Sequence, residues 1–178
     1  NIDLPASKSI SNRLLLIRAL CEESFSITNL SEAGDTQILA RALSSIQATS
    51  DTQTINVEDA GTAFRFMTAM LACIKEGQYT LSGSRRMHQR PIGELVSALR
   101  LLGADIQYLE VESFPPLQII GRPLKGGKVA IESGISSQFV SALCMIAPML
   151  RDGLEISLLN DVVSSAYITM TLQLMSDF

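Results

Sequence analysis

The segment PASKSISNR at residues 5–13 runs directly into the apolar stretch LLLIRAL at residues 14–20. This pattern predicts a helix that begins near Lys8 and carries hydroxyl groups and basic side chains in its first turns. The start of a helix attracts anions, because its free N–H groups and its macrodipole present positive charge there. Lys8 and Arg13 lie five residues apart, a little more than one turn, so both can reach one ligand. We therefore expect a phosphate or carboxylate site at this helix start.

The composition argues against several classes of function. The 178 residues carry a net charge of −4, and only 5% are aromatic, which disfavours nucleic acid as the main partner. No apolar run approaches the length of about 20 residues that crosses a bilayer, so we expect no membrane association. Cys21, Cys73 and Cys144 lie far apart without metal-binding spacing, which favours free thiols in a reducing, cytoplasmic compartment and no metal site.

The apolar periodicity predicts an α/β protein built from repeats. Helices are expected at about 8–21, 34–46, 61–75, 90–103, 135–150 and 164–177. Strands are expected at 25–28, 54–57, 78–82, 105–109, 117–120, 128–131 and 154–159. The helices form three pairs whose members start 26, 29 and 29 residues apart, with a β-rich stretch inside each pair. This order indicates one α/β unit used three times.

The first helix of each pair begins with small and polar residues. These are SKS at 7–9, DAGT at 59–62 and SSQ at 136–138. Each alone is well explained by ordinary helix capping, since Ser, Thr and Asp are common caps. If the three units pack around a common axis, the three starts converge, and together with Lys8 and Arg13 they favour an anion site.

A second basic cluster, Arg85, Arg86 and Arg90, precedes Pro91. Pro91 suits the first turn of a helix, so Arg90 is expected at a helix entrance, where its planar guanidinium can bind a carboxylate or phosphate. The alternative is a solvated charged loop. His88 is interpreted as a surface residue, because the sequence offers it no evident nucleophile or carboxylate partner.

Two other positions keep two interpretations at this stage. Asp35 either caps the second helix or faces the site, and Tyr167 either packs in the core or forms a wall of the site. Ser136 and Ser137 lack the G-x-S-x-G pattern of a nucleophile elbow, so they are interpreted as hydroxyl ligands.

Four motifs, at residues 5–13, 59–65, 86–92 and 136–139, resemble the signatures of the 5-enolpyruvylshikimate-3-phosphate (EPSP) synthases in their bacterial form. The resemblance covers essentially the whole chain. It implies transfer of the enolpyruvyl group of phosphoenolpyruvate to the 5-hydroxyl of shikimate 3-phosphate, with release of phosphate, on the shikimate pathway to chorismate and aromatic amino acids. It implies no metal or organic cofactor.

The resemblance also implies a fold. Members of this family have two lobes, each an inside-out α/β barrel of three βαβαββ units with helix starts in the cleft between the lobes. We expect residues 1–6 to be the crossover segment between lobes and residues 7–178 to be the lobe that binds shikimate 3-phosphate. The third repeat is then incomplete, and the second lobe of the same chain is an expected partner.

The resemblance assigns twelve residues to substrate binding, and it makes Lys8 catalytic as well. They are Lys8, Ser9, Arg13, Asp59, Gly61, Thr62, Arg90, Ser136, Ser137, Gln138, Ser164 and Tyr167. It implies that Lys8 contacts both substrates, that Gly61 and Arg90 hold phosphoenolpyruvate, and that Gln138 lies between the ligands. The remaining positions hold or border shikimate 3-phosphate, except Asp59 and Thr62, which lie beside phosphoenolpyruvate.

The sequence departs from the family pattern in three ways. Ala6 replaces a Gly, and Asp59 stands where Asn is common, which places a negative charge near an anion unless an N–H group or Arg65 compensates. The chain is also much shorter, and the general acid and base carboxylates of the family belong to the other lobe. We therefore expect binding without turnover, and self-association through an open sheet edge.

Two alternative functions stay open on the sequence alone. One is a UDP-N-acetylglucosamine enolpyruvyl transferase of the same fold. The other is a non-catalytic module that binds an anionic ligand.

Overall fold

The computed structural model describes residues 4–23, 25–47, 51–132, 136–159 and 164–178, and these ranges contain six α-helices and six strands. The helices are α1 (Lys8–Leu20), α2 (Gly34–Ser44), α3 (Gly61–Cys73), α4 (Gly93–Leu101), α5 (Ser137–Ile146) and α6 (Ser165–Met175). The strands are β1 (Thr52–Asn56), β2 (Gln78–Ser82), β3 (Asp105–Tyr108), β4 (Leu117–Ile120), β5 (Gly127–Glu132) and β6 (Leu154–Leu159). Short 3₁₀ turns lie at Met87–Gln89 and Ala147–Met149.

Capping residues set several of the helix ends that the sequence predicts. Ser7 precedes α1 in extended conformation, and its hydroxyl accepts the N–H of Ile10 at 3.4 Å. Ser136 does the same for α5, accepting the N–H of Gln138 at 3.2 Å. Gly103 follows α4 with a φ of +102°, a left-handed conformation that glycine adopts without strain.

The start of α4 differs from the prediction. The helix begins at Gly93 rather than near residue 90, so Pro91 lies before it and not in its first turn. The N–H of Ile92 donates to the carbonyl of Ser113 at 2.9 Å, which holds the preceding backbone outside the helix. Arg90 therefore follows the Met87–Gln89 turn and stands three residues ahead of α4.

The second repeat has the full βαβαββ order, β1-α3-β2-α4-β3-β4. Its four strands form one sheet in the order β1-β2-β4-β3, with β1 and β2 parallel and the other two pairings antiparallel. The third repeat runs β5-α5-β6-α6, and β5 pairs with β6 in parallel. Both repeats confirm the predicted α/β lobe.

The first repeat corrects one prediction. The segment 25–28 belongs to neither sheet, although α1 and α2 lie on either side of it as expected. In the second repeat, β2 pairs with β4, which comes after α4. Seven residues lie between α2 and β1, of which 48–50 are outside the described ranges, and within those ranges segment 25–28 pairs with no strand. Phe25 instead stacks on Phe178, with ring centroids 4.4 Å apart.

The helices form the centre of the molecule. In α3, eleven of the thirteen residues are buried, and this helix contacts α1, α2, α4 and α5. The first helices of the three repeats, α1, α3 and α5, contact one another in all three pairs. This packing around a common axis brings their N-terminal ends together, as the repeat hypothesis requires.

The crossover segment predicted at residues 1–6 is described only in part. Residues 1–3 lie outside the described ranges, and residues 4–6 are irregular, with Leu4 83% exposed. None of the helices found in the described ranges has the length and apolar character needed to cross a bilayer.

Candidate functional site

The starts of α1, α3 and α5 border one cleft of about 260 Å³. It is lined by Lys8, Ser9, Arg13, Thr62, Ser137, Gln138 and Tyr167. These seven residues come from all three repeats, and each is among those expected from the sequence. The predicted convergence of the helix starts is therefore confirmed. Three helix N-termini at one cleft give it a strong attraction for anions.

Lys8, in the cleft wall, forms an ion pair with a residue that is not part of that wall. Its Nζ lies 3.1 Å from Oδ2 of Asp35, in the first turn of α2. Asp35 thus contacts a residue of the cleft and does not cap α2, which has no side-chain cap. Both side chains are partly exposed, at 49% and 34%, so an arriving anion can compete with Asp35 for the ammonium group.

Arg13 is buried at 3% exposure and connects three helices. Its Nε donates to Oγ1 of Thr171 at 2.6 Å, and its Nη2 donates to Oγ of Ser141 at 2.9 Å. Its Nη1 donates to the carbonyl of Ser9 at 3.0 Å. Burial lowers the pKa of Arg13 below its ordinary value, because the charged form loses hydration. Arg13 is thus part of the scaffold as well as of the cleft wall.

The sequence did not reveal the partners of Arg13. Ser141 and Thr171 are hydroxyl residues in the middle of apolar helices, and no motif marks them. The hydroxyl of Thr171 also donates to Oγ of Ser141 at 2.9 Å. Only the packing of α1 against α5 and α6 brings these groups together.

Two guanidinium groups meet at the start of α3. A Cβ atom on Gly61 would lie 2.5 Å from Nη1 of Arg90 and 2.8 Å from Nη1 of Arg65, so the absence of a side chain at Gly61 permits both approaches. Nη1 of Arg65 also donates to the carbonyl of Gly61 at 2.9 Å. Within the described ranges, neither arginine forms an ion pair with a carboxylate.

We call Arg65 and Arg90 the arginine pair. Burial, and then the charge of Arg90, lowers the pKa of Arg65 to about 10. Two like charges with no carboxylate partner among the described residues favour an anion at this place, and the N-terminus of α3 adds to that preference. The sequence predicts Arg65 only as a charge that compensates Asp59. Its position one helical turn after Gly61 indicates that its side chain can reach the start of α3.

Asp59 lies beside the arginine pair, but its carboxylate is hydrogen-bonded to Ser84. Its Oδ1 accepts the hydroxyl of Ser84 at 2.5 Å, while its backbone carbonyl accepts Nη1 of Arg90 at 3.4 Å. The described partner of this carboxylate is therefore a serine hydroxyl, not the Arg65 considered from the sequence.

Some of the predicted serine and amide ligands line the cleft, and others are not part of its wall. Nε2 of Gln138 donates to Oγ1 of Thr62 at 3.1 Å, and Ser137 lines the cleft beside it. The hydroxyl of Ser136 is used as the cap of α5. Ser164 is exposed in a left-handed conformation with φ of 67° and is not part of the cleft wall, whereas Tyr167 is.

His88 has partners that the sequence did not suggest. Its Nε2 lies 3.0 Å from Oγ of Ser82, and its Nδ1 lies 3.6 Å from Oε2 of Glu110. The second distance exceeds that of a hydrogen bond. The expectation that His88 has no carboxylate nearby is corrected, whereas its interpretation as a non-catalytic residue stays a prediction; His88 is not part of the cleft wall. Among the described residues, no three His, Cys, Asp or Glu side chains are arranged to hold a metal ion.

Comparison with known proteins identifies the family. The model of the EPSP synthase (3-phosphoshikimate 1-carboxyvinyltransferase) family matches residues 1–56 and 44–178. The chain belongs to the EPSP synthase family. A 3-phosphoshikimate 1-carboxyvinyltransferase of Bacteroides fragilis (strain YCH46) is 49% identical over 177 residues, covering 99% of this chain and 42% of the relative. One of Psychromonas ingrahamii is 42% identical over 200 residues, covering 99% of this chain and 46% of that relative.

Solved structures share the fold of this chain. An EPSP synthase structure from Acinetobacter baumannii superposes with a TM-score of 0.82 at 20% identity, covering 99% of this chain and 43% of the other. The chain thus spans less than half the length of the EPSP synthases that it matches.

Proposed function

We propose that this chain is the shikimate 3-phosphate-binding lobe of an enzyme that transfers the enolpyruvyl group of phosphoenolpyruvate to the 5-hydroxyl of shikimate 3-phosphate. The observation that carries this proposal is the convergence of three helix starts and Lys8 on one cleft, next to the arginine pair. The printed names of the relatives, 3-phosphoshikimate 1-carboxyvinyltransferase, support the same activity.

The charge distribution suits two anionic substrates that repel each other. Shikimate 3-phosphate fits the main cleft, with its phosphate at the start of α5, near Ser136 and Ser137, and its ring beside Tyr167. Ser9 and the remaining N–H of Arg13 face its other oxygens, and Ser164 borders the ring. Positive charge and helix dipoles offset the repulsion between the substrates.

Phosphoenolpyruvate fits the start of α3, between Gly61 and the arginine pair, with Asp59 and Thr62 alongside. Lys8 belongs to the cleft and reaches toward both ligands once Asp35 releases its ammonium group. Gln138, which is bonded to Thr62, lies between the two positions. Holding both substrates together converts a bimolecular step into a local one.

The chemistry requires groups beyond those of this lobe. Protonation at C3 of phosphoenolpyruvate makes C2 electrophilic, the 5-hydroxyl attacks C2, and phosphate leaves from the tetrahedral intermediate. The family resemblance assigns the acid and base carboxylates to the second lobe, which residues 1–6 would join to the lobe at 7–178. We therefore infer that the 178-residue chain binds substrate without turnover and needs no cofactor.

Two further properties accompany the proposal. The three cysteines are free thiols, which supports a reducing, cytoplasmic location. Among the described residues β6 pairs only with β5, and its open edge supports association of two copies. A monomer by light scattering, or a secreted protein on cell fractionation, would contradict these two statements.

Isothermal titration of the chain with shikimate 3-phosphate tests the binding proposal. We expect binding that Lys8→Met abolishes and that the matched variant Lys128→Met retains, since Lys128 is an exposed residue of β5 paired with Glu155. Binding of UDP-N-acetylglucosamine in place of shikimate 3-phosphate would contradict the proposed acceptor. Release of phosphate from the two substrates by the chain alone would contradict the absence of turnover.

A further inference from the structure

We propose that Ser84 is a positioning residue that keeps the carboxylate of Asp59 away from the arginine pair, so that the start of α3 stays open to an anion. This proposal deepens, and rests on, the proposed binding of phosphoenolpyruvate at that place. It concerns a contact that neither the sequence motifs nor the family resemblance indicates.

Asp59 lies next to Arg90. Its backbone carbonyl lies 3.4 Å from Nη1 of Arg90, so its side chain starts within reach of a guanidinium. A carboxylate so close to two cations that have no carboxylate partner among the described residues would be expected to pair with one of them. Over the described part of the chain, Asp59 forms no such ion pair. Its carboxylate is directed to Oγ of Ser84 at 2.5 Å.

Ser84 is itself fixed by its surroundings. Its N–H donates to the carbonyl of Glu58 at 3.0 Å, and its carbonyl accepts the N–H of His88 at 3.1 Å. Its Oγ also accepts the N–H of Met87 at 3.3 Å. Since a hydroxyl has one hydrogen to donate, that hydrogen is free for Asp59 when the oxygen accepts from Met87. Ser84 thus joins the loop before α3 to the turn that leads into Arg90.

The contact with Ser84 keeps the negative charge of Asp59 apart from the positive charges of the arginine pair. If the Asp59 carboxylate paired with Arg90, it would occupy the guanidinium that the anionic substrate needs and remove one positive charge. A serine hydroxyl bonded to a carboxylate makes a strong, short hydrogen bond without adding charge. Ser84 therefore lets the chain carry an acidic residue at position 59 without closing the anion site.

A double-mutant cycle with Ser84→Ala, Asp59→Asn and the combined variant tests the proposal. Phosphoenolpyruvate and inorganic phosphate are titrated into each protein. We expect Ser84→Ala alone to weaken binding about two- to fivefold, the effect of one competing exposed ion pair. We expect the same substitution to have no effect when Asp59 is Asn. The control Ser44→Ala, an exposed helix serine bonded to its own helix, should bind as the parent does.

A loss of equal size in both backgrounds, or no loss in either, would overturn the proposal, because Ser84 would then act independently of the Asp59 charge. A crystal structure of unliganded Ser84→Ala provides a readout that does not depend on binding. We expect Asp59 to lie within ion-pair distance of Arg90 or Arg65 there. A carboxylate still directed away from both would overturn the role of Ser84, whereas failure of the parent to bind phosphoenolpyruvate would contradict only the proposed function.

Discussion

Nε2 of Gln138 donates to Oγ1 of Thr62 at 3.1 Å, joining the starts of α5 and α3 across 76 residues of sequence. The two helix starts belong to different repeats and, in the proposed function, face different anions. In the proposed function, this hydrogen bond would hold the two ligand positions at a constant distance.

Replacing Gln138 by Leu should weaken the binding of shikimate 3-phosphate and lower the free energy of unfolding. The loss of one hydrogen bond is expected to cost about 1 kcal/mol. Calorimetry and urea denaturation measure the two effects. Gln173→Leu, at an exposed position on α6, serves as the control. Unchanged affinity and stability in Gln138→Leu would show that the contact does not align the helix starts.

Replacing Gly61 by Ala should weaken the binding of phosphoenolpyruvate and leave the fold intact. The added Cβ meets only the ends of two flexible arginine side chains, so these can move aside and the backbone can remain. The arginine pair is then displaced from the anion. The matched control is Gly34→Ala, because Gly34 also begins a helix and has open space where a Cβ would lie. Equal affinity in both variants would contradict the placement of the anion.

Replacing Arg13 by Met should destabilise the chain in the absence of any ligand. The substitution removes charge-assisted hydrogen bonds to Thr171 and Ser141, and we expect the free energy of unfolding to fall by about 3 kcal/mol. Urea denaturation measures this. Arg151→Met is the control, since that side chain is 72% exposed. A stable Arg13→Met protein with reduced binding would instead assign Arg13 to the ligand alone.

Replacing Asp35 by Asn should raise the affinity of the cleft for shikimate 3-phosphate. The carboxylate competes with the ligand for Lys8, and its removal should leave stability within about 1 kcal/mol, since exposed ion pairs contribute little. Glu58→Gln breaks the exposed pair with Arg41 away from the cleft and controls for the change in net charge. Weaker binding in Asp35→Asn than in Glu58→Gln would assign Asp35 a direct role in holding the ligand.

The stability contributed by the Cys73 thiol should depend on pH. Burial raises its pKa from an ordinary value of 9.0 to about 12 in the folded chain. Between these values the unfolded thiol loses its proton and the folded one retains it, so stability falls as pH rises, by up to about 1.4 kcal/mol per unit. Urea denaturation at pH 7.5, 9.5 and 10.5 should show the advantage of the parent over Cys73→Ala shrinking. A pH-independent difference would contradict the buried neutral thiol.

Much of the fold follows from local patterns. Apolar periodicity and the capping residues Ser7, Ser136 and Gly103 determined the helices, because these signals act within one or two turns. The order of helices and strands determined the repeats, and the polar starts of three helices predicted the cleft that they line. Lys8 and Gln138 could be predicted as candidate site residues because each belongs to a polar motif at the start of a helix.

Tertiary structure decided the rest. The segment 25–28 has a strand-like composition, yet a strand exists only when another strand pairs with it, and the described part of the first repeat provides none. The bonds of Arg13 to Thr171 and of Asp59 to Ser84 join groups 158 and 25 residues apart. Local sequence sets which conformations a segment prefers, whereas the partner of a buried charge or an unpaired strand depends on how distant segments pack. That is why the sequence determined the helix starts and the cleft, and only the folded chain decided which charges remain free within it.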